Sequence, residues 1–124
     1  MRNDKENIIV NKTFDFALNI IEFSEYLYDA KKIPLANQIF KSGTSIGANV
    51  REAQNAESKA DFIHKLKIAA KEYWLLLCLK SPYLKSPNEK LLSDLKEILL
   101  ILSKIISSSK LSNFQINSFS NFQI

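Results

Sequence analysis

Ser42-Gly43-Thr44-Ser45-Ile46-Gly47-Ala48-Asn49-Val50-Arg51-Glu52-Ala53 carries both glycines of the chain, four residues apart, in a run that no turn residue other than Gly interrupts. Each Gly inside a helix costs about 1 kcal/mol relative to Ala. A helix that keeps two of them is expected to let a neighbouring helix pack closely against bare backbone. Leu35, Ile39, Ile46, Val50 and Ala53 share one face of this helix, and Gly43 and Gly47 fall on its flank beside Ala36 and Phe40. The stretch reads as a crowded helix crossing at the border of a core.

Outward from this run, prolines occur only at 34, 82 and 87 and divide the chain into four segments. Each is about 20 residues, or ~30 Å if helical. The expected helices span about 12–32, 35–55, 58–80 and 87–107. Ile33-Pro34 ends the first, because a residue before Pro avoids the helical region. Ser58 with Asp61 makes an acidic variant of the capping box at the start of the third, and Ser81-Pro82 ends it. For the fourth, Ser86 is the expected N-cap, with Pro87 at the first helical position and Glu89 three residues after the cap. Leu91, Leu95, Ile98, Leu102 and Ile105 then recur at spacings of four and three, flanked by Leu92, Leu99 and Ile106. The fold class expected is all-α, an antiparallel up-and-down four-helix bundle. Residues 1–11 read as a flexible N-terminus. Residues 109–124, where Asn113-Phe114-Gln115-Ile116 recurs as Asn121-Phe122-Gln123-Ile124, read as a disordered low-complexity tail.

Two of these helices are apolar on more than one side. In the first, Phe14, Ala17, Leu18, Ile21 and Tyr28 form one stripe and Phe16, Ile20, Phe23 and Leu27 another nearly opposite, with Asp15, Asn19 and Glu22 between them on one flank. In the third, Phe62, Leu66, Ala70, Tyr73 and Leu77 form the expected core stripe, while Ile68, Leu75 and Leu79 point elsewhere. A four-helix bundle surrounds none of its helices, so one stripe of each should be left over for self-association. Phe16, Ile20, Phe23, Leu27, Ile68, Leu75 and Leu79 are the expected oligomer interface.

Composition narrows the chemistry. The 124 residues are one domain's worth, 46% of them hydrophobic, enough for a core without disulfides. A single cysteine, Cys78, and acids in Met1-Arg2-Asn3-Asp4-Lys5-Glu6 suggest a reduced, cytoplasmic protein without a signal peptide, and no apolar run approaches a membrane span. The net charge of +4 comes mostly from Lys, with Arg2 and Arg51 the only arginines, which permits salt-sensitive contact with nucleic acid but little bidentate base recognition. One histidine cannot supply a di-iron site. Asp61-x-x-His64 has ligand spacing but sits beside Lys67 and Lys71, whose charges oppose a cation. Arg51 and His64 lie on separate expected helices, unlike the paired Arg and His of HEPN-type ribonucleases, and Cys78 within Leu77-Cys78-Leu79 reads as a small buried hydrophobe. No catalytic residue, cofactor or metal is expected. The feature nearest to a binding surface is the stripe His64, Lys67, Lys71, where the i, i+4 lysine pair repels itself, as it could around a bound anion or simply in water.

The central run, together with Ser58-Lys59-Ala60-Asp61-Phe62-Ile63-His64-Lys65-Leu66-Lys67-Ile68-Ala69-Ala70-Lys71-Glu72 and Tyr73-Trp74-Leu75, resembles the four-helix bundle proteins encoded by intervening sequences in bacterial large-subunit ribosomal RNA genes. The resemblance covers roughly residues 10–108. It implies a bundle that assembles into a ring, commonly a homopentamer, and a likeness to the accessory protein of diversity-generating retroelements, which binds nucleic acid and a reverse transcriptase. Carried onto this chain, the packing motif falls on Ser45, Ile46, Asn49 and Glu52, beside Gly43 and Gly47. The basic surface for RNA or DNA falls on Arg51, Lys59, Lys65, Lys67 and Lys71. Relatives usually place about one more helical turn between the Lys-Glu pair and Tyr-Trp-Leu; here Glu72 runs directly into Tyr73. A missing stretch that is not a multiple of 3.6 residues rotates the downstream side chains to another face of the helix. The function expected is a non-enzymatic oligomeric scaffold or adaptor near nucleic acid. The alternative is a protein–protein interaction module without a nucleic-acid role.

Overall fold

The computed structural model describes residues 7–75, 79 and 88–114. Among them the elements are helix α1 (Ile8–Asp29), α2 (Ile33–Ala53), α3 (Lys59–Ala70), a 3-10 turn (Lys71–Trp74) that continues α3, and α4 (Glu89–Phe114). Helix α1 packs on α2 and α4, and α3 packs on α2 and α4, so the four close an antiparallel up-and-down bundle.

Local chemistry sets the helix ends. Asn7 caps α1, its Oδ1 accepting from the Val10 amide at 3.3 Å. Its Nδ2 donates to Gln54 Oε1 at 2.7 Å, and Gln54 Nε2 donates to the Val50 carbonyl at 3.1 Å, tying the start of α1 to the end of α2. Helix α1 closes in a Schellman arrangement, with the Lys31 amide on the Tyr28 carbonyl and the Lys32 amide on the Leu27 carbonyl. Lys31 takes the left-handed position at φ 68°. Pro34 then occupies the first turn of α2, where its missing N–H costs nothing. Ser58 Oγ accepts from the Asp61 amide at 3.0 Å, as the sequence anticipates.

Several boundaries differ from the sequence reading; α1 ends at Asp29 rather than about residue 32, and α2 takes in Ile33, the residue expected to end the first helix. Helix α1 begins at Ile8, well inside the stretch expected to be flexible, because the Asn7 cap lets Ile9 and Val10 reach the core. Helix α4 is capped by Asn88, whose Oδ1 accepts from the Leu91 amide at 3.0 Å, and begins at Glu89. Ser86 and Pro87, the expected cap and first position, lie outside the described residues. At its other end α4 runs past Ser107 into the expected tail as far as Phe114, and Ser109 is buried with its hydroxyl on the Ile105 carbonyl. Residues 115–124, Cys78 and Leu77 lie outside the described residues.

The core follows the periodicity of α2 and α4. Ile39, Ile46, Val50 and Ala53 are buried, as are Leu91, Leu95, Ile98 and Leu102, with Leu35, Leu92, Leu99, Ile105 and Ile106 packed against them. Gly43 and Gly47 mark the crossing of α2 with α1. A Cβ on Gly43 would lie 2.6 Å from Ile20 Cγ1, 2.7 Å from Cγ2 and 2.8 Å from Cδ1, so the Ile20 side chain occupies the space a methyl would need. A Cβ on Gly47 would sit 3.2 Å from the Thr13 carbonyl oxygen.

That crossing decides which stripe of α1 turns inward, and it corrects the expected interface. Phe16, Ile20, Phe23 and Leu27 are buried inside the protomer, Ile20 and Leu27 completely, so they are core and not an oligomer surface. The stripe left outside is the other one: Phe14, Leu18, Ile21 and Tyr28 are exposed. The third helix needs a similar correction. Ile63, Leu66 and Ala69 are its buried positions, and Leu75 and Leu79 are buried core residues rather than interface, while Ile68 is half-buried. The 3-10 turn at Lys71–Trp74 winds about 3.0 residues per turn instead of 3.6, which swings Leu75 and Leu79 onto the core side. The turn lies at the shortened junction between Glu72 and Tyr73.

Candidate functional site

The Ser58 cap fixes the phase of α3, and burial of Ile63, Leu66 and Ala69 leaves His64, Lys67 and Lys71 exposed along its outer side. Lys65 turns the other way. Its Nζ lies 2.8 Å from Glu52 Oε1 near the end of α2, and this carboxylate holds the lysine pKa above its ordinary value. Lys65 and Glu52 therefore form a strut between α2 and α3. Asn49 and Ser45 stay within α2, Asn49 Nδ2 donating to the Ser45 carbonyl at 2.9 Å and Ser45 Oγ to the Ser42 carbonyl at 3.0 Å, with Ile46 fully buried between the two glycines.

The five basic residues expected on one surface are divided among different settings. Arg51 borders a groove between α1 and α2, Lys65 is committed to Glu52, and Lys59 is half-buried at the start of α3. Lys67 and Lys71 share the exposed side of α3, and Lys67 is joined there by Lys110 of α4, a residue expected in the tail. The Lys67 pKa is pushed down, first by the Lys110 ammonium, then by burial and by Lys71. The signal that could have found Lys110 is the α4 seam itself, whose spacing continues beyond Ile105.

A second surface lies on the α1–α2 hairpin. Phe14, Leu18 and Tyr28 are 56%, 51% and 55% exposed, and Phe40 of α2 adds 46%. A groove of about 310 Å³ runs between Phe14 and Ala17 on one side and Thr44, Gly47 and Ala48 on the other. A shallower one of about 170 Å³ lies further along, between Ile21, Tyr28, Ala36 and Phe40. Small residues on α2 open these grooves, and aromatic side chains wall them. Among the described residues no three His, Cys, Asp or Glu side chains are grouped as metal ligands, and no helix is long and apolar enough to cross a membrane.

The molecule is thus an all-α up-and-down bundle with an apolar outer hairpin face and a lysine-bearing α3. The chain belongs to the family of 23S rRNA-intervening sequence proteins, whose family model matches residues 5–104. Among solved structures it is similar to a protein of unknown function from the S23 ribosomal protein family of Bacteroides thetaiotaomicron, with 41% identity, a TM-score of 0.70, and coverage of 79% of this chain and 97% of that one. No curated protein matches the sequence.

Proposed function

We propose that this protein is a non-enzymatic, cytoplasmic scaffold that self-associates through the outer face of the α1–α2 hairpin and contacts nucleic acid through lysines of α3. The observation that carries the reading is the apolar stripe Phe14, Leu18, Ile21 and Tyr28, continued by Phe40 on α2. Exposed side chains scattered singly are ordinary; a stripe with helical spacing, backed by two grooves, is the surface of an assembly. The family resemblance favours a ring of five copies. In such a ring each weakly basic α3 is repeated, and several modest contacts become one multivalent surface. A nucleic-acid-processing protein such as a reverse transcriptase is the partner class the same resemblance suggests.

Light scattering on the purified protein, with the absorbance ratio of the same peak, tests both parts. An oligomer that carries nucleic acid at low salt and sheds it at high salt is the expected result. An oligomer whose partner binding is indifferent to salt would favour the protein–protein module instead. A monomer would overturn the assembly.

A further inference from the structure

Exposed lysines of α3 and α4 act on one another with like charge. Lys67 and Lys71 are one turn apart on the exposed side of α3, and Lys110 lies on the exposed side of α4, against which α3 packs, near enough to act on Lys67. Three other lysines have carboxylate partners: Lys65 with Glu52 at 2.8 Å, Lys90 with Asp94 at 2.8 Å, and Lys12 with Glu97 at 2.9 Å. At Lys67 the charged groups that act on it are Lys110 and Lys71, both of its own sign. From residue 98 to the end of α4 at Phe114 the sequence holds Lys104 and Lys110 and no Asp or Glu, so that helix brings no carboxylate to this corner. Ser107 is exposed one turn before Lys110 and adds a hydroxyl donor to the same side of α4.

We infer that Lys67, Lys71 and Lys110 form a clamp for the phosphodiester backbone of a nucleic acid, read without regard to base sequence. The inference rests on the nucleic-acid part of the function proposed above and narrows it to one corner of the bundle, with a residue from α4 that no sequence motif pointed to. Ammonium groups are point charges without the planar fork of guanidinium, which suits phosphate contact and not base readout. Two packed helices present these charges without rearranging the backbone that carries them. Arg51 and Lys65 stand apart from this focus, so the α2 end of the bundle is not the primary contact.

The test is fluorescence anisotropy of labelled mixed-sequence RNA and duplex DNA across a salt series. It compares the full-length wild type, Lys110→Gln, the triple variant K67Q/K71Q/K110Q, and Arg51→Gln as a control. For each protomer that engages the nucleic acid, Lys110→Gln should lower the slope of log affinity against log salt by roughly 0.7–0.9, and the triple variant by about 2–3. Arg51→Gln should leave it near the wild-type value. Circular dichroism checks folding, and the triple variant should melt no lower than wild type because it removes like-charge repulsion. Wild-type protein that binds neither ligand overturns the nucleic-acid reading and the clamp together. Binding that survives in the triple variant with its slope intact overturns the clamp alone and leaves that reading standing. Polyglutamate of matched charge competing as well as the oligonucleotide overturns the assignment to phosphate.

Discussion

Gly43→Ala isolates the contact that organises the bundle. In an unobstructed helix the change would stabilise by about 1 kcal/mol. Here the new methyl would lie 2.6–2.8 Å from three carbons of Ile20, against ordinary carbon–carbon contacts of about 3.5–4.0 Å. Ile20 is fully buried, and Cγ1 and Cγ2 are attached directly to its Cβ, so neither can swing clear as a chain end could. Overpacking of this kind costs roughly 1–3 kcal/mol. The net effect in the wild-type background is a loss of up to about 2 kcal/mol. Ile20→Ala alone should cost about 2–5 kcal/mol through the cavity it opens. It also removes all three obstructing carbons. In that background Gly43→Ala should therefore reverse sign and stabilise by about 1 kcal/mol, a coupling of roughly 1–3 kcal/mol between the two sites. Urea unfolding followed by helical circular dichroism, at one fixed protomer concentration, reads all four corners of the cycle. Equal effects of Gly43→Ala in the two backgrounds would refute the close-approach reasoning.

Three further outcomes concern the helix ends and the lysine corner. Lys31→Gly should raise stability by about 1 kcal/mol, since Lys31 holds a left-handed conformation that Gly adopts freely; a loss in thermal unfolding would contradict the assigned Schellman closure. Asn7→Ala should cost about 1–2 kcal/mol, because it removes the cap of α1 and the hydrogen bond to Gln54 together, and hydrogen exchange should speed up at the Val10 amide first. Lys67→Gln should melt higher than wild type at neutral pH. The folded state lowers the Lys67 pKa, so its charge opposes folding fully below that lowered value and ceases to oppose it above 10.5, where the unfolded chain is also neutral. The advantage of the variant should therefore shrink as pH rises through 10.5, and an advantage undiminished above that pH would show that charge is not its origin.

Much of the fold was legible because α2 and α4 each carry a single apolar face. The glycine pair, the Ser58 cap and the α4 seam all appear where their chemistry places them. Helix α1 was harder, since both of its stripes are equally greasy. The deciding information was the position of its acids: Asp15, Glu22, Glu25 and Asp29 fall around Leu18, on the side away from Phe16, Ile20, Phe23 and Leu27. Ile20 also has the shape to fill the space over Gly43, a relation between helices that a single-helix pattern does not contain. In α3 the 3-10 turn changes the winding after Ala70, and periodicity drawn through it at about 3.6 residues per turn places Leu75 and Leu79 on the wrong side. The candidate site was less legible. Lys67 and Lys71 share a stripe visible in the sequence, but Lys110 joins them only through the packing of α4 on α3, and Lys65 leaves the group only because Glu52 is within 2.8 Å.

The most direct measurement is the mass of the particle in solution, by light scattering, for wild type and for Leu18→Asp. Leu18 is half exposed on the outer face of α1 and lies outside the core cluster, so the substitution should leave the helical signal and folding intact. The expected result is a wild-type oligomer and a variant that dissociates to folded monomer. A monomeric wild type, or an oligomer that Leu18→Asp leaves unchanged, would contradict assembly through the α1–α2 face.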